Sequence, residues 1–457
     1  MLTIDKEIIQ KFDVAGPRYT SYPTAPEWTN ALTKATYEDK LRIFGQSLTP
    51  LSLYVHIPFC RSLCYFCACN VLIRPNDEKY GDEYLGYLFK EMDLVAQSMG
   101  GRKKIKQMHW GGGTPTYLSE AQLERLFKKI TASFDLDPRA EIAVEIDPRT
   151  IDRNKLEKLR SLGFNRVSMG IQDFDEAVQK EVNRIQPFEK VQAFYQWCRE
   201  LGFRSINFDL IYGLPNQTPD QFASTVEKVI DLRPDRIALY SFAYVPWIKK
   251  QQRKLLFENL PTNSQKLDIF LQARRLFLEH GYEAIAMDHF ALREDELARA
   301  FEQGHLYRNF MGYTVRPADE FVGLGLSSIS FVEKTFIQNY KTIHEYYDSL
   351  KRNELPVERG KELTVDDQIR QWTIDRLMCR FEVKKREFKT EFGCEFDQYF
   401  AEEQSHIAYC LAEGLIETSH DYCRVTDFGK LFVRNICMGF DWYLRQGKTS
   451  RRFSQTV

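Results

Sequence analysis

From Leu51 onward, short β-rich apolar runs alternate with amphipathic helical stretches. The strands expected from these runs are 51–57, 105–110, 141–147, 166–172, 205–211 and 236–242. Between the first two, Tyr84, Leu88, Met92 and Val95 recur at helical spacing until Gly100-Gly101 stops the run. Ser119-Glu120-Ala121-Gln122 and Thr218-Pro219-Asp220-Gln221 both read as capping boxes, in which a hydroxyl and a Gln satisfy the opening amides. Pro219 falls where no intrahelical N–H bond is lost. Six strand–helix repeats demand parallel pairing, because parallel strands need a crossover helix.

Unusual residues cluster at the strand ends. Cys60 follows the first strand and Gly111-Gly112-Gly113 the second. Glu145 and Asp147 close the third, Gln172 the fourth, Asp209 the fifth and Ala243 the sixth. Parallel α/β barrels build their sites at the C-terminal strand ends, whereas a doubly wound sheet gathers ligands near one switch point. The expected fold is therefore α/β, a partial (β/α)6 TIM-like barrel spanning 41–350.

Two flanking regions complete the chain. Residues 1–40 form an aperiodic arm whose segment Gly16 to Pro26 holds three prolines, two tyrosines and an arginine. It suits either a lid over the barrel mouth or a simple brace. Alternating glycine and leucine at Gly323-Leu324-Gly325-Leu326 suggests backbone packed against a ligand or another strand. Periodicity lapses around Leu355 to Gly360, as in a linker, and 361–457 is mainly helical with a hairpin at Leu415 to Thr426. That last pattern is winged-helix-like. Its helices mix Arg370, Arg376, Lys384, Lys385 and Arg386 with Asp366, Asp367, Glu382, Glu387 and Glu391, a solvated face and not a nucleic-acid stripe.

Composition narrows the partners. Across 457 residues, 63 Lys+Arg against 64 Asp+Glu give a net charge of −1, so nothing global draws nucleic acid or an anionic membrane. No apolar run approaches the roughly 20 residues that span a bilayer. The N-terminus lacks a signal peptide's order of charged then apolar residues. A cytoplasmic location is expected. Cys198, Cys379, Cys394, Cys410, Cys423 and Cys437 are scattered singly, as small buried hydrophobes in a reducing compartment.

Cys60, Cys64, Cys67 and Cys69 fall within ten residues directly after the first strand. Thiolates at this density suit zinc or an iron–sulfur cluster. The spacing Cys-x3-Cys-x2-Cys has no matching second pair, so a four-ligand zinc site would need Cys69 or a distant ligand. Three thiolates on a four-iron cluster leave one iron open to a small molecule. This spacing, with Phe66 before the third cysteine, resembles the signature of the radical S-adenosylmethionine enzymes. Such enzymes cleave S-adenosylmethionine reductively at a [4Fe–4S] cluster, giving methionine and a 5′-deoxyadenosyl radical. Gly111-Gly112-Gly113-Thr114-Pro115 offers bare backbone to the cofactor's amino acid end, or is a plain strand-to-helix turn. Glu145 is placed to pair with an ammonium or a ribose hydroxyl, or to act as a cap before Asp147-Pro148.

The runs Tyr54 to Asn70, His109 to Thr116, Val167 to Phe174, Asp209 to Pro215, Met287 to Phe290 and Arg434 to Met438 resemble the oxygen-independent coproporphyrinogen III oxidases, over nearly the whole chain. The resemblance implies one cluster, two S-adenosylmethionine molecules and decarboxylation of two propionates of coproporphyrinogen III to the vinyls of protoporphyrinogen IX. It implies cluster ligands Cys60, Cys64 and Cys67, with Cys69 marking the subgroup. First-cofactor contacts fall on Tyr54, Gly112, Glu145 and Ile329. Second-cofactor contacts fall on Phe66, Gly113, Thr114, Gln172, Arg184, Asp209 and Ala243. Tyr54, Glu145, Phe310 and Ile329 are the candidates at the reacting centre. An electron donor is required, and a monomer is expected. Met311 departs from the family pattern, which has Gln before Gly-Tyr-Thr; the change removes a hydrogen-bonding amide, about 1 kcal/mol. Two rivals share the radical fold: a haem-binding chaperone and a radical methyltransferase or haem-opening enzyme. Cys69 and the long arm favour the oxidase over the chaperone.

Overall fold

The computed structural model describes residues 11–101, 103–315, 320–447 and 453–456. The first ten residues of the expected arm lie outside that set. Six strands, β1 (Leu51–Ile57), β2 (Lys104–Gly112), β3 (Asp135–Ile146), β4 (Arg166–Gln172), β5 (Ser205–Tyr212) and β6 (Arg236–Ser241), pair in parallel in chain order. The expected strand positions hold, with β3 extended at its start.

Beyond β6 come antiparallel β7 (Tyr282–Ile285) and β8 (His289–Leu292), with β8 against β6. Beyond β1 the sheet continues through parallel β9 (Phe321–Leu324), then antiparallel β10 (Ile329–Val332), β11 (Thr335–Asn339) and β12 (Val357–Glu362). Twelve strands thus form one open sheet, a partial barrel that does not close.

Alternation along each strand separates two environments. On β1, Leu51, Leu53, Val55 and Ile57 lie in the main hydrophobic core. Ser52 and Tyr54 take the other face, where Ser52 Oγ donates to Gln107 Oε1 at 2.8 Å and Tyr54 stacks on His109. On β5, Ile206, Phe208 and Leu210 are core residues, while the Asn207 amide donates to Asp209 at 2.8 Å on the opposite face. The barrel interior is therefore a column of polar groups inside an apolar wall.

The helix Glu78–Met99 buries Tyr84, Leu88, Met92 and Val95 and ends at Gly100 with φ 68°. Ser119 forms a full capping box with Gln122. The second expected box forms only half: the Gln221 N–H donates to Thr218 Oγ1, but the Gln221 side chain accepts from that hydroxyl and leaves the cap amide alone. The glycine–leucine run packs against backbone. A Cβ on Gly323 would sit 2.3 Å from the Ile329 carbonyl oxygen.

The stretch read as a linker is instead an edge strand. β12 pairs with β11, and Gly360 exchanges backbone hydrogen bonds with Thr29 of the arm at 2.9 and 3.0 Å. Its sequence, Val-Glu-Arg-Gly-Lys-Glu, carries almost no apolar signal; pairing from both sides makes it a strand. Past it, the helix Val365–Arg380 precedes a three-stranded sheet of Glu382–Lys384, Tyr422–Val425 and Ile416–Thr418, in keeping with the winged-helix pattern. The arm is tied to this region: Tyr19 OH donates to Asp441 at 3.1 Å, and buried Arg434 donates to the carbonyls of Gly16 and Pro17. Among the described residues no helix is long and apolar enough to cross a membrane.

Candidate active site

The cysteine loop leaves the C-terminal end of β1 and is closed at its base, where Leu72 N donates to Pro58 O at 2.7 Å and Arg74 N to Cys60 O at 3.0 Å. Its backbone is held from outside. Asn183 donates to the Leu63 carbonyl at 2.8 Å, Gln251 to Cys67 at 2.6 Å, and Lys249 to Cys69 at 3.2 Å. Fixing the carbonyls outward leaves the thiols to their own surroundings. Cys60 Sγ lies 3.4 Å from Thr114 Oγ1. Arg149 Nη2 and Arg184 Nη1 point at Cys64 Sγ from 3.5 and 3.6 Å. Burial pushes the Cys60 thiol up to about 12, whereas the hydrogen bond with Cys69 brings Cys67 down to about 7.

Among the described residues no three His, Cys, Asp or Glu side chains converge tightly enough for one metal ion. A four-iron cluster takes three thiolates of one loop, each on a different iron. The donor set fits too: three sulfurs, with two guanidinium groups aimed at one of them.

Both arginines are oriented by Asp147. Arg149 donates to it at 2.7 Å and Arg184 at 3.3 Å. Burial alone would raise the Asp147 carboxyl, but Arg184 and Arg149 hold it down at about 2. Arg184 also donates to the Gly170 carbonyl at 2.5 Å. A Cβ on Gly170 would meet Gln172 Nε2 at 2.8 Å and Arg184 Nη2 at 2.9 Å, so those two side chains converge over it.

A cavity of about 240 Å³ opens beside the loop, lined by Tyr54, His56, Cys69, Asn70, Gly112, Glu145, Asn309, Phe310, Met311, Phe321, Ser327, Ser328 and Ile329. It gathers all four expected first-cofactor contacts together with Phe310. Desolvation inside the cavity would raise the Glu145 carboxyl, yet His109 Nε2 at 3.0 Å and Gly112 N–H at 3.1 Å hold it lower than usual. His56 donates through Nε2 to the Asn70 carbonyl at 3.1 Å, so its Nδ1 accepts from Tyr54 OH at 3.1 Å. Burial keeps that imidazole neutral, in agreement with the tautomer. Phe310 sits at the tip of the hairpin Tyr307–Asn309 and Gly312–Thr314, edge-on to Trp28 of the arm at 5.9 Å. Met311 is in the same turn, its N–H donating to Asn309 Oδ1 at 2.8 Å.

None of the expected second-cofactor residues lines that cavity, and Gly113 directly follows its lining residue Gly112. Asp209 lies inside β5 and not at its end; it accepts from Ser168 Oγ at 2.9 Å and Asn207 at 2.8 Å. Burial pushes its carboxyl up to about 6 despite those bonds. Gln252 bridges Ala243 and Phe66, donating to their carbonyls at 3.0 and 3.2 Å. Sequence reasoning gave no role to His56, His109, Ser168, Asn207 or Arg149. The alternation along β1, β2, β4 and β5 carried the signal, since each of the first four interrupts an apolar strand on its inward face.

The family pattern of the Radical SAM superfamily matches residues 54–229, and that of the HemN C-terminal domain matches 363–432. The oxygen-independent coproporphyrinogen III oxidase of Escherichia coli is 43% identical over 453 residues, covering 99% of this chain and 98% of the relative. Its namesake from Synechocystis is 42% identical over 455 residues, covering 99% and 97%. The solved structure of E. coli coproporphyrinogen III oxidase (HemN), described as a radical SAM enzyme, superposes with a TM-score of 0.91 at 41% identity, covering 96% of this chain and 99% of that one. With sequence, fold and strand-end residues in agreement along nearly its whole length, the chain belongs to the oxygen-independent coproporphyrinogen III oxidases of the radical SAM superfamily.

Proposed function

We propose that Cys60, Cys64 and Cys67 hold the cluster, and that the Gly112-Gly113 ridge separates two cofactor positions. The enzyme is a radical S-adenosylmethionine oxidoreductase of haem biosynthesis that oxidatively decarboxylates coproporphyrinogen III, using a [4Fe–4S] cluster, S-adenosylmethionine and an electron donor. When bound, cluster and cofactor supply the 5′-deoxyadenosyl radical that abstracts hydrogen; the protein binds, orients and excludes water.

The observation that carries the assignment is the Gly112–Glu145 contact inside the cavity of Tyr54, Phe310 and Ile329. Glu145, kept ionised by His109 and the Gly112 N–H, retains lone pairs for the first cofactor's ammonium or ribose. Asp209 is a half-buried carboxylate bonded to neutral groups, and a cationic second cofactor completes it. Arg184 and Gln172 flank that position over Gly170, while Phe66, Thr114 and Ala243 form its rim. Tyr54, Phe310 and Ile329 pack the face toward substrate. Of the expected arm (1–40), the described residues from 11 on cover the barrel domain (41–350), described residues of the C-terminal domain (361–457) anchor them, and the protein acts as a cytoplasmic monomer.

The test is an anaerobic assay of reconstituted enzyme with S-adenosylmethionine, coproporphyrinogen III, dithionite to reduce the cluster and a one-electron acceptor for the substrate radical left after hydrogen abstraction. Protoporphyrinogen IX should form with methionine and 5′-deoxyadenosine. Cofactor cleavage with no decarboxylated product would overturn the substrate assignment.

A further inference from the structure

The outer side of the cysteine loop is covered by residues 244–260, which follow β6. Three side chains pin this segment to the loop: Lys249 to Cys69, Gln251 to Cys67, and fully buried Gln252 to Phe66. Leu255 is buried in a small apolar cluster with Val178, Val182, Leu214 and Phe242, against which Tyr65 and Phe66 pack. The other side of the segment faces solvent. Trp247 is 51% exposed, Ile248 55%, Leu256 53% and Phe257 70%, all within eleven residues. Single exposed apolar residues are ordinary; four together beside one loop mark an interaction surface.

Charge adds direction. The chain as a whole carries −1, yet residues 244–260 hold Lys249, Lys250, Arg253 and Lys254 against only Glu258. Lys250, Arg253 and Lys254 are exposed on the short helix Lys250–Lys254, with Lys254 over the Tyr65 ring at 4.8 Å. No carboxylate within the segment outweighs them. An apolar centre with a basic rim, one side chain away from the thiol loop, is the complement of an acidic electron carrier.

We propose that residues 247–257 are the docking surface for the enzyme's reductant, a small acidic electron-carrier protein whose redox group lies under an apolar patch ringed by carboxylates. This rests on the cluster assignment above. The transfer is one electron: the carrier is oxidised by one electron and the cluster reduced by one, with no bond made or broken in the protein. Lys250, Arg253 and Lys254 steer the encounter. Trp247 and Phe257, which line a cavity of about 730 Å³ beside the segment, supply the apolar centre of the contact.

The experiment compares two reductants on the holoenzyme, following loss of the cluster's visible absorption anaerobically. Reduced flavodoxin is the probe, and dithionite, which needs no docking site, is the control. The triple variant Lys250→Glu, Arg253→Glu, Lys254→Glu should be reduced by flavodoxin at least tenfold more slowly than the parent, and the parent's rate should fall as salt is added. Dithionite should reduce both proteins alike. Reduction of the triple variant by flavodoxin at the parent rate would overturn the proposal. So would equal slowing with dithionite, which reports damage to the cluster, or a parent that flavodoxin fails to reduce. A variant that merely shifts the protein from dimer to monomer makes the patch a self-interface, and also overturns it. Should the triple variant not fold, Trp247→Ala must slow flavodoxin alone, and a parent-like rate there is equally decisive. Dithionite-driven product formation by the parent keeps this test separate from that of the enzyme's activity.

Discussion

The Gly112 backbone N–H donates to Glu145 at 3.1 Å, tying the glycine run at the end of β2 to the carboxylate at the end of β3. Each glycine of the run is crowded. A Cβ on Gly111 would lie 2.6 Å from Glu145 Oε1, on Gly112 2.7 Å from the His56 ring, and on Gly113 2.7 Å from the Pro58 carbonyl carbon. Gly112 also has φ 112°, open to glycine and costly for other residues.

Gly113→Ala therefore meets backbone that cannot rotate away. It should cost about 1–3 kcal/mol of stability and weaken S-adenosylmethionine binding. Thermal unfolding and anaerobic dialysis of the variant measure both, and parent-like values for both would contradict the close packing.

Cys60→Ser, Cys64→Ser and Cys67→Ser should each abolish the iron–sulfur absorption and all cofactor cleavage. Cys69→Ser should assemble the cluster, because Cys69 is exposed and serves as hydrogen-bond partner to Cys67. Iron analysis and visible spectra after anaerobic reconstitution decide it. A cluster lost in Cys69→Ser but kept in Cys60→Ser would reverse the ligand assignment.

Much of this site was legible in the chain because strand ends are punctuated. Cysteines, glycines and acids break the apolar runs where β1, β2 and β3 end, and the six parallel strands lie where those runs predict. What escaped was register. Tyr54 pairs with His109 across β1 and β2, and only the assembled sheet brings His109 to Glu145. Asp209 looked terminal because β5 continues through Ile211 and Tyr212, residues a strand shares with a loop. β12 was missed because its stability comes from pairing with β11 and Thr29, not from its own composition.

Burial raises the Asp209 carboxyl from its ordinary 3.8 to about 6. The ligand-free folded state thus binds this proton more tightly than the unfolded chain, and its stability falls as pH rises between those values. A cationic cofactor needs the ionised form. Affinity for the second S-adenosylmethionine should therefore drop about tenfold per unit as pH falls below about 6, and Asp209→Asn should weaken binding while flattening that profile. Anaerobic titrations between pH 5 and 8 test it; a profile unchanged by the substitution would contradict the role.

The arm reaches both halves of the site. Arg18 donates to the Ser241 carbonyl at the end of β6 at 2.6 Å, and Arg308 donates to the Arg18 carbonyl at 3.5 Å. Trp28 stacks on Phe336 at 5.0 Å and meets Phe310 edge-on. Deleting residues 1–28 should spare the cluster but uncouple the reaction, leaving 5′-deoxyadenosine formed with little protoporphyrinogen IX. A native coupling ratio in the truncated protein would rule out the lid, and loss of the cluster would make the arm a brace.

Two cofactor positions are proposed beside Gly112 and Gly113, and anaerobic equilibrium dialysis of reconstituted enzyme with labelled S-adenosylmethionine counts them directly. The parent should bind two molecules per chain. Asp209→Ala should keep the first and weaken the second roughly ten- to hundredfold, and Glu145→Ala should do the reverse. A single molecule bound per parent chain at saturation would contradict two positions.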